Sequence, residues 1–357
     1  MKIFQVITVS EYGGAQSVVA SLLHELNKDK TNQLYVLYGG EGEAWQHLDS
    51  RIKRIRLSAH RKDASIKDLA LLFRLIYLRF KYKPDVVHLH SSKMGLLGRI
   101  AFSKESVVYT VHGFDSIRKA FRKYLFLEKL LQKRAARIVG VSHYDVKCMA
   151  EEGIEGNVEM VYNGLQDHTL EKNDTDLEFE ATLRELKTKY PKMMMCISRI
   201  SKQKKFELFL DIAELMSEYA FVWIGNKQPI EGLPENVYCL GECHFAHRCL
   251  SYADLFVLPS NYEGLPISVI EALSYGKPVV ASDVGGLSEM LTGDNGYVVQ
   301  NNAEEFVEKI RLILENDELY TQKSKNARQS YLNNFTISRM IEGYKTVYQK
   351  VLTAKKR

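Results

Sequence analysis

The sequence predicts two doubly wound α/β domains in tandem, and three observations carry that prediction. Short runs rich in Val and Ile alternate with amphipathic helical stretches along most of the chain. That is the pattern of parallel strands joined by crossover helices. The runs are not strictly alternating, as expected of strands buried on both faces. A polar stretch near the middle, 166–192, breaks the rhythm, which then restarts. At about 150 residues per domain, a chain of 357 residues agrees with two domains.

In the first half, strands are expected at IFQVITV, QLYVLY, DVVHLH, SVVYTV and RIVGVS, with helices near 14–29, 64–83, 93–102, 116–136 and 143–152. The polar stretch is expected to be a linker with one helix. Strands follow at MMMCIS, FVWIG, NVYCLG, DLFVLP, PVVAS and GYVVQ, with helices near 205–217, 266–276 and 302–315. The stretch 317–354 is helical in pattern, and the chain closes on Lys-Lys-Arg. The boundaries that follow are 1–165 for the first domain, 166–190 for the linker, 191–335 for the second domain and 336–357 for a terminal helix. Two such domains facing each other would leave a cleft at the carboxyl ends of both sheets, where ligands bind.

Hydrophobic residues make up 45% and charged residues 26%, which excludes a disordered tail, a collagen and a coiled-coil rod. The five cysteines are 148, 196, 239, 243 and 249. Cys239, Cys243 and Cys249, with His244 and His247 between, lack the tight CxxC pairs of zinc sites. All five read as reduced thiols, and no metal site is expected. No apolar run is long enough to span a membrane. The opening MKIFQVITVSEYGG reads as a strand and turn rather than a signal peptide, so a cytoplasmic location is expected.

Charge is uneven. Residues 1–165 hold 26 Lys and Arg against 17 Asp and Glu, while the remainder is mildly acidic. Two stretches concentrate the excess. In 66–83, Leu69, Leu72, Phe73, Ile76 and Phe80 recur at helical spacing beside Lys67, Arg74, Arg79, Lys81 and Lys83. In 116–137, Arg118, Lys119, Arg122 and Lys123 flank Phe121 and Tyr124. Two readings stand: a peripheral contact with an anionic membrane, at its inner face, or ordinary core-facing helices with a solvated basic side. Nucleic acid is not expected, for want of any recognition motif.

The most informative segment is DLFVLPSNYEGLPISVIEALSYGKPVVASDVGGLSEM, residues 254–290. A strand runs into a loop that presents Glu263, Gly264, Leu265 and Pro266, and a helix begins near Pro266, a residue favoured at the first helical position. Backbone N–H groups at such a helix start suit a phosphate. Glu263 can meet ligand hydroxyls, and Glu271 can accept from a ribose diol. Arg199 and Lys204 lie five apart after the strand MMMCIS, where cations can converge on a diphosphate. Gly13 and Gly14 follow the opening strand and allow close backbone approach, although the pattern is not GxGxxG.

These motifs and their order resemble the family 4 glycosyltransferases, of the two-domain GT-B class with Rossmann-like domains, over essentially the whole chain. The resemblance rests chiefly on the E-x7-E element of EGLPISVIEALSYGKPVVASDVGG. It implies that Gly13 and Gly14 lie near the donor phosphate and acceptor, and that His112 in TVHGF contacts the transferred sugar. It implies that Arg199 and Lys204 bind the diphosphate, Glu263 the sugar hydroxyls and Glu271 the ribose. It also implies that VYNGL (Val161–Leu165) ends the first domain and that the final helices cross back to it. Two departures stand out. The family usually has Gly after the phosphate-binding Lys, where this chain has Lys205, so either Lys204 or Lys205 could be the contact. His88 and His90 also end a strand, in VVHLH.

The resemblance implies metal-independent transfer of a hexose-type sugar from a nucleoside diphosphate donor, a UDP-sugar, with retention and without a cofactor. The Asp174-Thr-Asp176 triplet, a metal motif elsewhere, sits in the polar linker and reads as accidental. A front-face substitution, with the leaving diphosphate stabilised electrostatically, fits better than a double displacement, for which no nucleophile stands out. The basic first half suggests an anionic acceptor, such as a lipid-linked saccharide of capsule or exopolysaccharide synthesis. A nucleotide-sugar epimerase or hydrolase, and a non-catalytic sugar-nucleotide-binding subunit, remain as alternatives.

Overall fold

The computed structural model describes residues 1–59, 66–170, 179–243 and 245–355. The chain forms two compact units, Met1–Gly164 with Ile337–Arg357, and Leu165–Thr336.

In the first unit, seven parallel strands run β1 (Lys2–Val6), β2 (Gln33–Tyr38), β3 (Lys53–Arg56), β4 (Val86–His90), β5 (Val107–Val111), β6 (Arg137–Gly140) and β7 (Val158–Met160). Their order in the sheet is β3-β2-β1-β4-β5-β6-β7. The helices are α1 (Gly14–Leu26), α2 (Ile66–Tyr82), α3 (Ser92–Ala101), α4 (Leu125–Leu131) and α5 (His143–Glu151). β4 and β5 are buried along their whole length. Side chains such as Phe4, Leu37, Leu75, Leu89, Phe102 and Tyr109 form one core cluster.

The second unit holds α6 (Glu180–Lys189), β8 (Met193–Ile197), α7 (Phe206–Glu214), β9 (Ala220–Ile224), β10 (Val237–Cys239), β11 (Leu255–Leu258), α8 (Ile267–Ser274), β12 (Val279–Ser282), α9 (Leu287–Met290), β13 (Gly296–Val299), α10 (Ala303–Leu314) and α11 (Asp317–Asn334). Its sheet order is β10-β9-β8-β11-β12-β13, again all parallel. Of residues 166–190, read from sequence as a linker, the described 166–170 and 179–190 cluster with this unit. The last helix, α12 (Ile337–Lys355), belongs to the first unit, where it packs on β4 and β5.

Three expectations about the elements need correction. The stretch 116–137 is not one helix: a π-turn (Ser116–Ala120), two 3-10 turns and the short α4 share it. Several of its cations are paired within the unit, Arg118 and Lys119 with the buried Asp115, Arg118 also with Glu151, and Arg122 and Lys129 with Glu152. On α2 the inward face is Leu71, Leu75 and Leu78, while Leu69, Phe73, Tyr77 and Phe80 are exposed. Helical spacing recurs on both stripes, so periodicity alone does not say which faces the core. Finally, β3 and β7 were not expected; KRIR and VEM are short, polar sheet-edge segments without an apolar run.

All five cysteines are free, with Cys243 and Cys249 hydrogen-bonded to each other. His244, the Asp174–Asp176 triplet and the last two residues lie outside the described residues. Among the described residues no helix is long and apolar enough to cross a membrane, and no group of three or more His, Cys, Asp and Glu is placed to hold a metal.

Candidate active site

In both sheets the winding reverses direction once, between β1 and β4 and between β8 and β11. Ligands of doubly wound folds bind beyond the carboxyl ends of strands at such a reversal. Arg199 and Lys204 follow β8, Glu263 to Pro266 follow β11, and Gly13 and Gly14 follow β1, while His112 follows β5, one strand beyond the first reversal.

In the second unit, β8 leads through Ser198 and the exposed Arg199 into a 3-10 turn, Lys202–Lys204, and then α7. β11 leads through Pro259 into the loop 260–266 and then α8. The two connections are stitched together. Asn261 N–H donates to the Gln203 carbonyl at 2.7 Å. Gln203 Nε2 donates to the Tyr262 carbonyl at 2.8 Å, and Asn261 Nδ2 to the Lys202 carbonyl at 2.7 Å. The stitching sets Lys204 Nζ 2.5 Å from Glu263 Oε1. Ser260 Oγ donates to the same carboxylate oxygen at 2.6 Å. Glu263 is only 5% exposed, and these two donors satisfy its Oε1.

Ser260 is itself fixed. Its N–H donates to Ser282 Oγ at 2.8 Å and its carbonyl accepts from Asn301 Nδ2 at 3.0 Å. Behind the loop, Gly285 has φ +61°, and a Cβ there would lie 2.0 Å from the Glu263 carbonyl oxygen. Glycine is therefore required for the backbone conformation and for the close approach alike.

Lys205 is half-buried in the left-handed conformation, φ +40° and ψ +56°, at the N-cap of α7. That conformation costs a side-chain-bearing residue about 1 kcal/mol. The position which in the family is usually glycine is thus one where the backbone wants glycine, and Lys204, not Lys205, makes the contact with Glu263. Pro266 occupies the N-cap of α8 rather than its first helical position, with ψ +127°. The Pro266 carbonyl accepts the N–H groups of Val269 and Ile270. Gly264 is held by its carbonyl, which accepts from Gly286 N–H at 3.0 Å, and Leu265 is buried. Glu271 lies one turn into α8, half-buried, where burial pushes its carboxyl up to about 8.

In the first unit, Gly13 caps α1 and the exposed Gly14 opens it. Gly13 is extended, a conformation open to any residue, so glycine there serves only close approach. His112 follows β5, and Gly113 behind it turns at φ +106°. His112 Nε2 lies 3.0 Å from His90 Nδ1 at the end of β4, and burial lowers its pKa to about 4. Ser91, also at positive φ, pairs its hydroxyl with that of Thr8 at 2.5 Å across the β1–β4 reversal.

Lys204, Glu263, Gly264, Leu265 and Pro266 thus form one cluster, with Arg199 at its exposed entry from β8 and Glu271 behind it on α8. Sequence reasoning missed Ser260, Gln203, Asn261, Ser282, Asn301 and Gly285. Of these, Ser260, Asn261, Ser282 and Gly285 fall inside the segment singled out from sequence, but no local spacing marks them. A loop with a buried carboxylate, a half-buried ammonium and a helix start can bind hydroxyls and an anion side by side.

Known proteins resemble both halves of the chain. Residues 12–168 match the family model described as Glycosyltransferase Family 4, and residues 179–330 the model described as Glycosyl transferases group 1. An uncharacterised 41.2 kDa protein in the cps region of Klebsiella pneumoniae is 30% identical, over 81% of this chain and 86% of its own length. The UDP-Gal:alpha-D-GlcNAc-diphosphoundecaprenol alpha-1,3-galactosyltransferase of Escherichia coli is 28% identical, over 86% of each chain. The crystal structure of Anabaena Alr3699/HepE in complex with UDP and glucose superposes with a TM-score of 0.79 at 18% identity, covering 98% of this chain and 99% of that one. With two parallel α/β sheets of the GT-B kind and both halves matched, the chain belongs to the family 4 glycosyltransferases.

Proposed function

We propose that this glycosyltransferase moves a hexose-type sugar from a UDP-sugar to a saccharide hydroxyl on a polyprenyl diphosphate, in surface polysaccharide synthesis and with retention. The observation that carries the reading is the Lys204–Glu263 contact at the β8–β11 reversal. In the proposed complex the donor diphosphate takes Lys204 as its counter-ion together with Arg199, and the backbone N–H groups at the start of α8 face it. Glu263, freed from Lys204, accepts from sugar hydroxyls, and Glu271 meets the ribose. Gly13 and Gly14 admit the diphosphate and acceptor closely, and His112 contacts the transferred sugar. The leaving diphosphate, stabilised by these cations, takes up the acceptor proton as the new bond forms on the same face. The E. coli relative, named for an α-linked product on a diphosphoundecaprenol acceptor, supports the donor and acceptor classes.

An anionic membrane surface is the proposed place of encounter with the lipid. Phe73 and Phe80 on α2 are 62% and 65% exposed, beside Arg74 and Lys81. α3 packs against both α2 and α4, and the latter exposes Phe126 and Leu130. Exposed aromatic and aliphatic side chains among cations suit an interface between headgroups and acyl chains. Changing Phe73 and Phe80 together to Ser is expected to abolish binding to vesicles containing anionic lipid; unchanged binding would refute this surface.

The reaction is tested by UDP release from UDP-galactose, UDP-N-acetylglucosamine and UDP-N-acetylgalactosamine, with and without a polyprenyl-diphosphate-linked N-acetylglucosamine. Acceptor-dependent release with an α-linked product is expected. Acceptor-independent release would make the protein a hydrolase, and an altered nucleotide sugar an epimerase. Donor binding without turnover would leave a binding subunit.

A further inference from the structure

A chain of buried polar side chains runs from His112 into the core of the first unit. His112 Nε2 meets His90 Nδ1 at 3.0 Å, and His90 Nε2 meets Gln5 Oε1 at 2.8 Å. Gln5 Nε2 donates to Tyr348 Oη at 3.0 Å, and Tyr348 Oη lies 2.8 Å from His88 Nδ1. His88 Nε2 then meets Thr110 Oγ1 at 2.7 Å, which pairs with Tyr344 Oη at 3.1 Å. Gln5, His88, His90 and Thr110 are fully buried on three adjacent strands, and both tyrosines come from α12.

Burial and neighbouring rings hold His88 and His90 well below the ordinary histidine range, and His112 is lowered as well. All three imidazoles are therefore neutral near pH 7, each with one N–H and one lone pair. In such a chain, one orientation dictates the next. Gln5 is assigned with its amide nitrogen towards Tyr348, so its oxygen must accept from His90 Nε2–H. His90 Nδ1 is then a lone pair, and His112 must donate to it from Nε2. The remaining nitrogen of His112, Nδ1, carries a lone pair, and no described residue is hydrogen-bonded to it. The opposite assignment of Gln5 would reverse every donor and leave His112 with an N–H at Nδ1.

We propose that His90 is a positioning residue which, with Gln5 and Tyr348, holds His112 as the Nε2–H tautomer, so that His112 offers substrate a hydrogen-bond acceptor. This rests on the reading that His112 contacts the transferred sugar. It gives α12 a part in the site: its phenol anchors a tautomer on a strand end.

Solution NMR of 15N-histidine-labelled protein reads the tautomer directly. His112 is expected to be protonated at Nε2 only; protonation at Nδ1, or an exchanging mixture, would overturn the proposal. Tyr348→Phe keeps the ring and its packing while removing the hydroxyl. It is expected to mix the tautomers of His112 and to lower kcat for UDP release from UDP-galactose by roughly 10-fold, with KM for UDP-galactose unchanged. A Tyr348→Phe variant with wild-type tautomer and kcat would also overturn it. His112→Ala separates the two readings. Wild-type turnover in that variant would remove His112 from the substrate, while the NMR result would still decide the tautomer.

Discussion

The two sheets share the order in which their central strands are wound, yet they fill the reversal point in opposite ways. In the second unit the β8–β11 reversal holds a charged pair, Lys204 and Glu263, at the end of short, tightly stitched loops. In the first unit the β1–β4 reversal is backed by a neutral chain, His112–His90–Gln5–Tyr348, closed from behind by α12. One topology supplies a place, and the side chains decide its chemistry. A charged pair can exchange partners with an anionic ligand. A chain of neutral side chains orients the imidazole at its end.

The sharpest way to break that contrast is to remove the charge. Lys204→Met is expected to lower kcat by about 100-fold or more, since Glu263 loses its counter-ion and a leaving diphosphate its cation. Steady-state UDP release checks this, and a variant within a few-fold of wild type would leave the pair structural only. Next in size is Gly285→Ala. The new methyl meets the Glu263 carbonyl, and the expected cost is about 2 kcal/mol with a displaced Glu263 loop, measured by denaturant unfolding and donor affinity.

A smaller effect sharpens the position of Glu271. Its folded carboxyl sits at about 8 against an ordinary value of 4.5. Between those values the folded state keeps a proton that the unfolded chain releases. The contribution to stability is therefore full below the lower value and is lost as pH rises through the upper one. Melting temperature against pH is expected to fall more steeply over that window in wild type than in Glu271→Gln; parallel curves would place Glu271 in solvent. Smallest is Lys205→Gly, expected to stabilise the fold by about 0.5–1 kcal/mol by relieving the left-handed residue, with kcat unchanged. A large loss of kcat would return Lys205 to the diphosphate.

The contrast also explains what was legible in the sequence. All six strands of the second sheet are apolar runs, and its site is carried by two contiguous segments, so Glu263 and Glu271 could be named and the cation narrowed to Lys204 or Lys205. The supporting shell of Ser282, Asn301 and Gly285 was not legible, because it acts through backbone approach and hydrogen bonds between separate loops. In the first unit the chain behind His112 spans 343 positions, from Gln5 to Tyr348, and no local spacing links them. β3 and β7 lacked apolar runs. On α2, two stripes at the same period, Leu71–Leu75–Leu78 and Leu69–Phe73–Phe80, could each have faced the core, and only the fold chose.

The central claim is that the β8–β11 reversal grips the donor by its diphosphate, and calorimetric titration with UDP alone tests it most directly. Wild-type protein is expected to bind UDP, and the Arg199→Ala, Lys204→Ala double variant to bind at least 10-fold more weakly at a temperature where circular dichroism shows both proteins folded. Equal affinity for UDP in the two proteins, or none in the wild type, would contradict it.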